Sequence, residues 1–107
     1  MAQILQINFR FNVSREQFEE TASSVAQEFA KVPGCHWKVW LMNEQQSEAG
    51  GIYLFADEAS VEGYKGSPLF AAVVGNPALS DFSVKQFEVL EQVSGVTRAP
   101  IPAAAAA

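Results

Sequence analysis

Two short stretches concentrate the side chains able to do chemistry. His36 and Lys38 stand in Cys35-His36-Trp37-Lys38-Val39-Trp40, and Tyr53 and Phe55 stand in Gly50-Gly51-Ile52-Tyr53-Leu54-Phe55. His36 is the chain's single histidine. Imidazole is the side chain whose ordinary pKa lies near neutrality, which makes His36 the leading candidate for a general base. Lys38 supplies a cation for an anion formed on a substrate, and Asn8 or Gln6 supplies a polar group to orient a substrate oxygen. Trp37, Trp40, Tyr53 and Phe55 supply aromatic walls. Such a set suits proton removal from a small apolar molecule and stabilisation of the resulting anion away from water.

Each residue also has a purely structural reading. Trp37 and Trp40 are three apart, so on a strand they point to opposite faces, and Trp37 suits a core or dimer contact. His36 follows a Pro-Gly turn, where a surface histidine is ordinary. Lys38 can lay its stem along apolar surface or pair with Glu48. Cys35 and His36 are adjacent and point apart, which argues against a Cys–His nucleophilic dyad. Gly50-Gly51 lacks the Lys and Ser/Thr of a phosphate loop and enters a strand rather than a helix.

These residues need a scaffold, and the hydrophobic periodicity predicts one. Leu5, Ile7, Phe9 and Phe11 alternate with Ile4, Gln6, Asn8 and Arg10, the pattern of a strand over 3–11. Ser14 with Gln17 three residues on forms a capping-box signature. Phe18, Ala22, Val25, Phe29 and Val32 then mark a helix of about five turns, stopped by Pro33-Gly34. Residues 35–44 and 50–55 predict two strands joined by a turn too short for a parallel crossover, hence an antiparallel hairpin. The glycine pair marks a bulge or a close backbone approach. Strict alternation along the first of these strands places Cys35, Trp37, Val39 and Leu41 on one side and His36, Lys38, Trp40 and Met42 on the other. Asp57 and Ser67-Pro68 predict two short helical pieces with a break at Gly66. Residues 80–93 read as a long last strand.

Composition narrows the class. The chain has 107 residues, with 7 Lys+Arg against 12 Asp+Glu and a net charge of −5. That balance argues against a phosphate-binding surface, so no nucleic acid is expected as a partner. The apolar runs are too short to span a bilayer, and Met1-Ala2-Gln3-Ile4 lacks the basic start of a signal peptide. One cysteine excludes an intrachain disulfide and fits a reducing, cytoplasmic compartment. One histidine disfavours an all-protein zinc site. The expected organisation is one domain over 1–95 and a flexible Pro/Ala-rich tail over 96–107.

The element order β-α-β-β-α-β predicts an α+β, ferredoxin-like fold with a four-stranded antiparallel sheet. Helices cover one face. The other carries large apolar side chains on at least three strands, more than a monomer ordinarily exposes. Burial against a second copy, as a homodimer, follows as the expectation.

Pro33-Gly34, then Trp37-Lys38-Val39-Trp40, then Glu48-Ala49-Gly50-Gly51-Ile52-Tyr53-Leu54-Phe55 resemble the YdhR-like monooxygenase family. The opening Leu5-Gln6-Ile7-Asn8-Phe9-Arg10-Phe11-Asn12 is similar to that family's first strand. The likeness covers about 3–93 in element order, is dense in motifs over 33–57, and beyond Tyr64 is one of pattern. It implies a dimeric α+β barrel. Relatives on that scaffold include monooxygenases that oxidise phenolic compounds without a cofactor, and others that isomerise lactones, degrade haem or cyclise polyketides. The implied activity is a cofactor-independent monooxygenase for a small aromatic, phenolic or quinol-type substrate. The residues read above as candidates for that chemistry are His36 and Lys38 as catalytic groups and Asn8, Trp40, Tyr53 and Phe55 as substrate contacts. Fold likeness does not transfer chemistry. A homodimer that binds a small apolar ligand without catalysis, and a lyase or isomerase on the same scaffold, stay open beside it.

Overall fold

The computed structural model describes residues 1–102. Its elements run β1 (Gln3–Phe11), α1 (Arg15–Ala30), β2 (Cys35–Asn43), β3 (Glu48–Phe55), α2 (Glu58–Lys65), α3 (Pro68–Val74), β4 (Leu79–Glu88) and α4 (Glu91–Val96). The strands form one sheet in the order β2-β3-β1-β4, with every neighbouring pair antiparallel. This is the ferredoxin-like β-α-β-β-α-β arrangement, with the second helix split in two.

Local signals set the helix starts. Ser14 Oγ accepts from the Gln17 amide at 3.1 Å, and Gln17 Oε1 accepts from the Ser14 amide at 3.3 Å, which closes the capping box. Asp57 caps α2 by accepting from the Ser60 amide at 2.8 Å, and Ser67 caps α3 ahead of Pro68. Gly34 turns the chain from α1 into β2 at φ 77°, a conformation that favours glycine, and a Cβ there would run into the Ser60 side chain.

One face of the sheet carries Leu5, Ile7, Phe9, Phe11, Ala49, Tyr53 and Phe55 against Phe29, Val61 and Tyr64 from the helices. The opposite face carries Ile4, Ile52, Leu54, Trp37, Val39, Leu41 and Phe87, as the pairing register requires. Val39 is 49% exposed and Phe87 50%, so much of this apolar face is open in the single chain. Its one covered end holds Ala2, Leu54 and Val89 with Trp37 and Ile101. Trp37 Nε1 donates to the Pro100 carbonyl at 2.8 Å. The described part of the Pro/Ala-rich end, through residue 102, therefore includes two anchored contacts, and residues 103–107 lie outside the described residues.

Two expectations need correction. The last strand stops at Glu88 rather than Val93, and the chain turns into α4. Its partner β1 begins at Gln3, and the final bond of the ladder runs from the Val89 amide to the Ala2 carbonyl at 3.0 Å. Beyond that point no strand among the described residues offers bonds, and backbone groups pair helically instead, Ser94 N to Leu90 O first. The second correction concerns β2. Its register against β3 slips between Cys35 and Trp37, leaving His36 as an extra residue. Cys35 thereby faces the helices together with Lys38, Trp40 and Met42, whereas strict alternation had set it beside Trp37.

Candidate functional site

The apolar stripe of α1 is large at its ends and small in the middle. Phe18 packs on Phe9 and Phe11, at 5.9 and 5.3 Å between ring centroids, and Phe29 packs on Trp40 at 5.2 Å. Ala22 and Val25 lie between them. The two phenylalanines hold the helix off the sheet, and the short side chains leave a cavity of about 520 Å³ beneath it. Phe9, Tyr53, Trp40 and Lys38 line its sheet side, and Leu69 and Val73 of α3 line another wall. Gln17, Glu20 and Thr21 supply polar groups from α1. Volume and lining are those of a site for a small, mostly apolar molecule.

Lys38 is the basic group of the lining. Its Nζ stands 3.5 Å from the Phe29 ring centroid, 3.5 Å from Trp40 and 4.7 Å from Tyr53. Ring faces are electronegative and attract an ammonium. Among the described residues no carboxylate lies within 4.0 Å of Nζ, since the ion pairs there join Arg10, Arg15 and Lys65 to acids elsewhere. Burial lowers its pKa from 10.5 to about 7, with the Cys35 thiol pulling weakly the other way. Near neutrality the amine is therefore shared between its charged and neutral forms. Gly51 makes the seat: a Cβ there would stand 2.7 Å from Lys38 Cε. Gly50 serves the sheet instead, because a Cβ there would run into the Ile7 carbonyl of β1.

The neighbours are held in their neutral forms. Tyr53 and Tyr64 share a hydrogen bond between hydroxyls at 3.2 Å. Burial raises the pKa of both, and for Tyr53 the Tyr64 hydroxyl adds to it. Burial likewise pushes the Cys35 thiol up, against the pull of Lys38 and of the Trp37 backbone.

Of the candidate residues, the fold brings Lys38, Trp40 and Tyr53 together at the cavity. Phe55 lies one layer behind, fully buried and stacked on Tyr53 at 6.0 Å. His36 stands exposed on the bulge, outside the cavity lining. Asn8 lies on the open face of the sheet, where its Oδ1 accepts from Gln6 Nε2 at 2.9 Å. Trp37 is on that face too. Sequence reasoning missed Phe29, the ring that closes over Lys38, and Tyr64, the partner of Tyr53. The large-small-large order of the α1 stripe was the available signal for the cavity; the pairing of Tyr64 with Tyr53 had none.

Among solved structures, SnoaB of Streptomyces nogalater, described as a cofactor-independent oxygenase, is similar at 18% identity and a TM-score of 0.69. That match covers 86% of this chain and 96% of SnoaB. A protein of unknown function from Nitrosomonas europaea is similar at 19% identity and a TM-score of 0.73, over 94% of each chain. MhuD of Mycobacterium tuberculosis, described as a heme-degrader, is similar at 18% identity and 0.64, over 81% of this chain and 95% of its own. At such identities the likeness speaks for the fold alone. No curated protein matches the chain. The family profile described as "Putative mono-oxygenase ydhR" matches residues 4–100, and by that match this chain belongs to the ydhR mono-oxygenase family.

Proposed function

We propose that the protein is a cofactor-independent monooxygenase for a small phenolic or quinol-type aromatic, working in the cavity under α1. The observation that carries this reading is Lys38, an amine without a carboxylate partner, set among aromatic rings at an apolar cavity. Family membership and the description of SnoaB support it. Neutral Lys38 accepts the phenolic proton. The ammonium so formed then lies beside the phenolate and beside the peroxide that grows on the ring carbon when O₂ adds. For a phenol open at the para position, uptake of one O₂ and loss of one water gives the quinone. One oxygen atom stays in the product, the other leaves as water, and the substrate supplies all four electrons. Trp40 and Tyr53 hold the ring, and Phe55 backs Tyr53. His36, exposed on its bulge, is not asked to act as the base.

The proposal includes a homodimer. Val39, Phe87, Ile52 and Leu41 form an apolar face on the sheet side away from the helices, and a second copy covers it by two-fold packing. A reducing, cytoplasmic setting fits the single Cys35. Among the described residues no helix is long and apolar enough to cross a membrane.

The test is oxygen uptake with a panel of hydroquinones and naphthols in chelator-treated buffer. Uptake of one O₂ per quinone formed from a naphthol, with a loss of about tenfold or more in Trp40→Ala and Lys38→Met, is the expected result. Turnover unchanged in both variants overturns the site. A ligand that binds and is recovered unchanged under oxygen overturns the oxygenase in favour of a binding protein. Native mass spectrometry at micromolar concentration tests the dimer, and a monomer overturns it.

A further inference from the structure

Lys38 is also a nucleophile in waiting. Its Nζ makes no hydrogen bond among the described residues and is not sealed off from the cavity. Two ring faces at 3.5 Å flank it, and Phe9, Phe18, Val25 and Leu69 surround the space it adjoins with hydrocarbon. Desolvation without a counter-ion is how a protein turns an ammonium into a reactive amine. We propose that Lys38 captures aromatic aldehydes and apolar ketones as a Schiff base, making the cavity a site of covalent carbonyl capture.

The step balances without any further reactant. The neutral amine adds to the carbonyl carbon, the nitrogen's proton passes to the carbonyl oxygen, and water leaves to give the imine. Protonation gives an iminium, a cation at the place the ammonium held. The Phe29 and Trp40 faces that attract an ammonium attract the iminium in the same way. The apolar cavity accepts the carbonyl's aromatic body and disfavours the hydrolysing water. The two hydroxyls nearest in the core, Tyr53 and Tyr64, bond to each other, so Lys38 meets its carbonyl without competition from a buried phenolate. This inference shares a residue with the oxygenase reading but does not depend on it, since no oxygen enters the reaction.

The experiment is reductive trapping under nitrogen at pH 7. The purified protein is mixed with 2-naphthaldehyde and cyanoborohydride, and adducts are located by peptide mass mapping. The other lysines, Lys31, Lys65 and Lys85, are internal standards for ordinary amines in the same tube. A pKa near 7 in place of 10.5 gives Lys38 a neutral fraction larger by about a thousandfold at this pH. Steric hindrance will take back part of that, so labelling of Lys38 at least about tenfold faster than each standard is the expected result. Labelling spread evenly over the lysines, or confined to the amino terminus, overturns the proposal. Because wild-type protein suffices, the test does not depend on a variant folding. Gly51→Ala adds a second readout: it crowds Lys38 Cε and should lower the Lys38 rate toward that of the standards. Lys38 labelling with no oxygen uptake would leave the amine site standing and sink the oxygenase. Oxygen uptake without labelling would do the reverse.

Discussion

Replacing Lys38 with methionine changes the pH dependence of stability in a calculable way. In the unfolded chain the amine titrates near 10.5, and in the fold near 7. Below pH 7 both states carry the proton, and the folded state bears the full cost of burying it. Between 7 and 10.5 the folded state has released its proton while the unfolded state keeps it. The unfolded state then binds more protons, so stability rises with pH across that window. At about 1.4 kcal/mol per pH unit, the gap between 10.5 and about 7 amounts to about 5 kcal/mol. This is a large share of the 5–15 kcal/mol, roughly, that holds a typical domain together. Methionine fills a similar volume, carries no charge and makes favourable contacts with rings. Lys38→Met should therefore be the more stable protein at pH 6, and its advantage should fall by about 4 kcal/mol between pH 6 and pH 10. Urea unfolding at pH 6, 7.5, 9 and 10 measures it, and subtracting the two curves cancels the acids common to both proteins. A difference that stays flat over this range would refute the buried-amine reasoning.

Three further outcomes follow from the same geometry. Gly50→Ala should cost more than about 2 kcal/mol in urea unfolding, because the new methyl meets the Ile7 backbone, which cannot step aside. Gly51→Ala should cost under about 1 kcal/mol, because only the flexible end of Lys38 must yield. Tyr64→Phe removes the 3.2 Å bond to Tyr53 and leaves a buried hydroxyl alone, for a loss of about 1–3 kcal/mol by thermal or urea unfolding. His36→Ala should leave the rate on any substrate within about twofold of wild type, since His36 is exposed and outside the cavity lining.

The helix caps, the two-part second helix and the hairpin were legible because each rests on a few adjacent residues: Ser14 with Gln17, Ser67 with Pro68, the short turn after Asn43. What escaped depends on contacts made at a distance. Residues 87–93 alternate as well as any strand, but alternation cannot tell how far a partner strand reaches, and β1 begins only at Gln3. The bulge at His36 is set by the match of two strands rather than by either alone. Of the six candidate residues, Lys38, Trp40 and Tyr53 meet because strand periodicity holds from Trp37 onward. Asn8 shares a strand with the core residues Ile7 and Phe9 yet faces away from them, a parity that the mixed second face of β1 left open.

The bulge and the three-residue spacing after it leave the chain's two tryptophans on opposite sides of one strand. Trp40 borders the cavity, 39% exposed, while Trp37 is tied to the Pro100 carbonyl on the far face. The protein thus carries two built-in fluorescent probes that look in different directions. A ring entering beneath α1 alters the emission of Trp40 and leaves Trp37 unmoved. A second chain closing on the open face, or the release of residues 100 and 101 from it, alters Trp37 and leaves Trp40 unmoved. With Trp37→Phe and Trp40→Phe each retaining one indole, occupancy of the cavity and coverage of the sheet become two separate optical titrations in the same small domain.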